Sequence, residues 1–90
     1  MKALSTVRAL SGVRRAWPGR DGSITFELAA PAGKLRAGRV NREGEVWITG
    51  YASDPELPEL TPGVAGRLVV HRFHRRAVVL TGDRAIKFTR

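Results

Sequence analysis

Apolar and polar residues alternate in short runs fenced by glycine and proline, and that period of two commits most of this chain to β-structure. Ile24, Phe26 and Leu28 alternate with Thr25 and Glu27, which predicts a half-buried strand from residue 23. Leu35–Val40 reads as a second, weaker strand. Glu45–Tyr51 reads as a third, with Val46 and Ile48 on one face and Trp47, Thr49 and Tyr51 on the other. Pro31-Ala32-Gly33 and Asn41-Arg42-Glu43-Gly44 supply the turns between them. Three further strands are predicted at Arg67–His71, Ala77–Thr81 and Arg84–Thr89, the last two joined by a tight turn at Thr81-Gly82-Asp83.

The first residues break the period. Ala3, Val7, Leu10 and Trp17 follow helical spacing, with Leu4 and Val13 beside them, so an amphipathic helix is expected, closed by Pro18-Gly19. The fold class is therefore α+β: an N-terminal helix followed by a mostly antiparallel sheet of about six strands. The expected core is Leu4, Val7, Leu10, Trp17, Ile24, Phe26, Leu28, Val46, Ile48, Leu68, Val70, Val78, Leu80, Ile86 and Phe88. Residues 1–50 read as a helix plus three-strand cap and 64–90 as a three-strand segment. Residues 51–63 read as a Pro-rich acidic linker that Leu57 and Leu60 tack to the surface.

Ninety residues hold one core at most. The absence of cysteine excludes a disulfide scaffold, a thiol nucleophile, an iron–sulfur cluster and a cysteine-type zinc site. His71 lies on an alternating strand and reads as a half-buried structural histidine, not an acid–base group. Ser5, Ser11, Ser23 and Ser53 lack a recognisable histidine–acid arrangement. No apolar run approaches the roughly 18 residues of a membrane span, so the expectation is a cytoplasmic protein with no membrane partner. The acid-free, arginine-bearing start has the composition of an organelle transit peptide, but the segment from Trp17 onward reads as folded chain. The net charge of +8 is uneven: +4 over residues 1–22, +1 over 23–50, −3 over 51–62 and +6 over 63–90. Such a field attracts polyanions.

The segment Gly66–Arg90 holds a strand, a basic turn, an Ala-Val-Val strand, a tight turn and a strand bearing Ala85-Ile86-Lys87. That order resembles the first three strands of the protein-kinase-like fold, and its wording is closest to the small lobe of actinobacterial aminoglycoside/choline-type phosphotransferases. Trp17-Pro18-Gly19-Arg20-Asp21-Gly22, followed by a strand, is similar to the start of such proteins. The resemblance covers about 25 residues well and about 40 more weakly. It implies that Lys87 contacts the α- and β-phosphates of ATP, that Ala85 lines the adenine side, and that the hairpin carrying Arg72, Arg75 and Arg76 forms the roof. That hairpin has no glycine, so arginine side chains would take the place of backbone amides. The catalytic-loop and magnesium-binding acids of the family are absent from the sequence. The resemblance thus implies an ATP-side lobe that needs a C-terminal large lobe as its partner, and ATP with Mg only in that company. An excised lobe would expose a sheet edge able to drive self-association.

The rival reading is a small basic nucleic-acid-binding or protein-interaction module. Trp47 and Tyr51 share a strand face with Arg36 and Arg39 nearby, and bases stack on such rings. Against it, Trp47 is expected to pack on the N-terminal helix, and the main basic cluster lies in the last 28 residues, away from Trp47. A nucleic-acid binder needs both on one face.

Overall fold

Helical spacing persists only as far as Ala9. A computed structural model describes residues 2–29, 34–64 and 66–90. In it α1 (Lys2–Ala9) buries Ala3 and Val7, and the Leu10 amide donates to the Val7 carbonyl at 3.1 Å to close the last turn. Gly12 then takes φ +83°, a left-handed conformation open to glycine without steric cost, and the chain turns into β1 (Val13–Pro18). The second half of the expected helix is therefore a strand. Its backbone groups are satisfied along the edge of β2 (Ile24–Ala29), in antiparallel register with Ala16 opposite Phe26 and Trp17 opposite Thr25.

β3 (Leu35–Val40) and β4 (Val46–Ile48) complete a four-stranded antiparallel sheet in chain order. The turn expected at Pro31-Ala32-Gly33 lies outside the described residues. Ala3 and Val7 of α1 pack on one face of this sheet against Ile24, Phe26 and Val40. Gly38 sits under the Phe26 ring. A Cβ there would collide with that ring and lie 2.8 Å from the Trp47 carbonyl oxygen.

β5 (Arg67–Arg72), β6 (Arg76–Thr81) and β7 (Arg84–Thr89) form a second antiparallel sheet, also in chain order. The molecule is α+β, with seven strands in two sheets among the described residues. A second buried cluster joins Leu35 of β3 and Leu68, Ala77 and Val79 of this sheet to Ala52, Leu57 and Leu60. Leu57 and Leu60 are only 2% and 3% exposed, so they enter the core instead of resting on its surface. Successive turns bring them there, the Leu57 amide bonding the Asp54 carbonyl and the Leu60 amide the Leu57 carbonyl.

Several expected core residues lie outside. In Ala77-Val78-Val79-Leu80 every residue is apolar, so alternation cannot choose the face. The structure turns Ala77 and Val79 inward and leaves Leu80 40% exposed, with Val70 and Val78 half-buried. Leu4, Val46, Ile48 and Ile86 are also exposed, the last three on the edge strands β4 and β7, and Trp17 is half-buried on β1. Among the described residues no helix is long and apolar enough to cross a membrane.

Candidate functional site

Cross-strand pairing sets Trp17 opposite Thr25, Thr25 opposite Arg39 and Arg39 opposite Trp47. Directly opposed residues share a face, so these four form a row across the first sheet on the side away from α1. The second sheet covers another part of that face, where Glu27, Leu35 and Ala37 are buried. The row is left as one wall of an open groove of about 900 Å³. The opposite wall is the β5–β6 hairpin, Arg72-Phe73-His74-Arg75, with Arg90 beside it, and the turn Pro18-Gly19-Arg20-Asp21 lines the same space.

Five arginines and one acid line this groove. The Arg72 guanidinium lies 5.5 Å from the Trp17 ring centre and that of Arg39 6.0 Å from Trp47. The acid, Asp21, sits 3.0 Å from Arg39 Nη2. Hydrogen bonds from the Ser23 hydroxyl and amide, with help from Arg39, lower the Asp21 carboxyl to about 2. Among the described residues no carboxylate pairs with Arg20, Arg72 or Arg75. Two expectations are overturned here. Trp47 does not pack on the helix but is 46% exposed on the other face, and Arg72, Arg75 and Arg90 from the distant basic cluster line the groove with it.

A buried polar seam positions the hairpin. The His71 amide of β5 donates to Glu27 Oε2 of β2 at 2.7 Å. Asp54 Oδ2 accepts the His74 amide at 2.7 Å and lies 2.8 Å from His71 Nε2, while Oδ1 accepts the Glu56 amide at 3.0 Å. Burial pushes the Asp54 carboxyl up. The bonds from His71, His74 and Glu56 outweigh it and hold the group below the ordinary 3.8. An ionised carboxylate only accepts, so Nε2 of His71 carries the proton between them. His71 is 0% exposed, a fully buried structural residue where half-burial is expected from its strand. His74 follows in the left-handed region at φ +57°, its ring stacked on Phe73 at 3.8 Å.

Glu27 and Asp54 were not legible as parts of a site, since one alternates as a solvent-facing residue and the other sits in a Pro-rich acidic run. The one local hint is Asp54 before Pro55, a residue type that caps turns through its own side chain.

The residues singled out by the kinase-like resemblance divide between two surfaces. Lys87 lies opposite Val78, Ala85 opposite Leu80 and Thr89 opposite Arg76. Because Ala77 and Val79 point into the core, Arg76, Val78, Leu80, Ala85 and Lys87 share the outer face of the second sheet, with Val70 opposite Val78. Arg72 and Arg75 line the groove instead. The structure thus brings Lys87, Ala85 and Arg76 onto one face, places Arg72 opposite Arg76 at the hairpin end where that face meets the groove, and holds Arg75 in the groove. Comparison with protein families, curated proteins and solved structures yields no match to this chain.

Proposed function

We propose that the chain is the N-terminal, ATP-side lobe of a kinase-like small-molecule phosphotransferase and works in the cytoplasm, where ATP is supplied. The observation that supports this reading is the outer face of β5–β7. There Val70, Val78 and Ala85 form an apolar surface with one lysine, Lys87, set among them. An adenine ring needs such a flat apolar wall, and a strand fixes an ammonium relative to it so that one charge meets the phosphates. Arg76, next along the same face, adds a second cation. Glu59 is the one carboxylate lining the hollow beside Lys87, and among the described residues no group of acids or histidines could hold a metal ion, so magnesium does not fit this chain alone. Its ligands and the base that orients the nucleophile would come from the large lobe.

Titrating the isotopically labelled chain with ATP tests the site. Amide shifts should centre on Val70, Val78, Ala85 and Lys87 and disappear in Lys87→Met, whose thermal midpoint should not move because Lys87 is exposed. Shifts confined to the groove would overturn the reading. In protein carrying both lobes, Lys87→Met should lower turnover at least about a hundredfold, and unchanged turnover would remove Lys87 from the chemistry.

A further inference from the structure

We propose that the groove between the two sheets binds single-stranded nucleic acid, with bases stacked on Trp17 and Trp47 and phosphates on Arg39, Arg72 and Arg75. The groove meets the Lys87 face only at Arg72, which lies opposite Arg76, and Lys87 is not among its lining, so either reading stands if the other fails.

The two rings stand at the ends of a row three strand spacings long, about 14 Å at roughly 4.8 Å per spacing. That is room for several stacked nucleotides at about 3.4 Å each. Arg39 lies within the row, between the rings, and Arg72 and Arg75 face it from the hairpin wall. Arg72 and Arg75 have no carboxylate partner among the described residues, so their charge is not already neutralised. A guanidinium already lies over each ring, and Trp47 is still 46% exposed, so a planar partner can reach it.

The shape selects among anions. A duplex keeps its base faces inside the stack, where indole rings cannot reach them. A lipid surface is flat, whereas these rings line a concavity between two sheets. A polyanion without bases would satisfy the arginines and leave both tryptophans unused. Asp21 also enters the argument, because it holds Arg39 and places a negative charge where phosphate would sit.

Trp17 and Trp47 are the only tryptophans in the chain, so intrinsic fluorescence reports this groove directly. A ten-nucleotide oligothymidylate should quench it saturably, with affinity falling steeply as salt rises. Trp47→Ala, at an exposed position, should keep the circular dichroism of the parent and weaken binding about tenfold. Asp21→Asn should strengthen binding several-fold by freeing Arg39, an outcome that misfolding cannot mimic. Heparin or a duplex of equal length binding as tightly as the single strand, with no effect of Trp47→Ala, would show a simple polyanion patch and overturn the proposal. Quenching by phosphatidylserine vesicles in preference to the oligonucleotide would overturn it in favour of a membrane surface.

Discussion

Replacing Asp54 by Asn keeps the side-chain shape but removes the ionised acceptor shared by His71 Nε2 and the amides of Glu56 and His74. Leaving such buried donors poorly met should cost about 2–3 kcal/mol, out of roughly 5–13 for a domain of this size. The carboxyl titrates below 3.8 in the folded protein and near 3.8 when unfolded, so over that interval the unfolded chain binds more protons. Its stabilisation is complete above about pH 4 and is lost as pH falls through the folded value. Asp21 acts in the same sense, down to about 2. Urea midpoints at pH 7, 4 and 3 should show a drop below pH 4 that Asp54→Asn partly removes. An unchanged acid slope in that variant would exclude Asp54 as its source. Glu27 shows why the sequence hides this seam. Its strand alternates correctly, but alternation reports only that Thr25 and Glu27 share a face, not that a second sheet later covers Glu27 and leaves Thr25 at the groove.

The elements themselves were largely legible from their period. β2, β3 and β7 lie where alternation places them, and β5 and β6 differ by one residue at one end. The failure is β1, because Ala3, Val7, Leu10 and Trp17 satisfy helical spacing across a point where the backbone cannot stay helical. Gly12 was the available signal, and its positive φ is what separates α1 from β1. β4 is shorter than its alternating run because only Val46–Ile48 pair with β3. Gly38 gives the sheet its sharpest packing test. Gly38→Ala should cost about 1–3 kcal/mol, since the new methyl meets the Phe26 ring and the Trp47 backbone together. It should also shift tryptophan emission by displacing β4. Gly50→Ala is the control: its Cβ would meet only the Ser53 Cβ, at 3.9 Å, and its urea midpoint should hold.

At the scale of the whole molecule, alternation finds strands but does not say which sheet they join or how the sheets stack. The groove was hidden for that reason, being built from Trp17, Trp47 and a hairpin more than twenty residues beyond either. Stacking also leaves β7 at the rim of the second sheet with Arg84 and Lys87 along it. Unpaired amides there favour edge-to-edge association, which those charges oppose. Sedimentation velocity should show a weak dimer that grows with concentration and salt, and a monomer under all conditions would exclude that contact. The cation on which the nucleotide proposal rests, Lys87, differs in kind from those of the groove. Apart from His74, every basic residue lining the groove is arginine, and of the chain's three lysines, Lys2, Lys34 and Lys87, none lies there. Guanidinium keeps its charge across the whole biological pH range and is inert to acyl donors, whereas a lysine amine is not. Acylation of the chain would therefore remove the Lys87 charge and leave Arg76 and the groove's field intact. One enzyme or one reagent can separate the two surfaces without a single mutation.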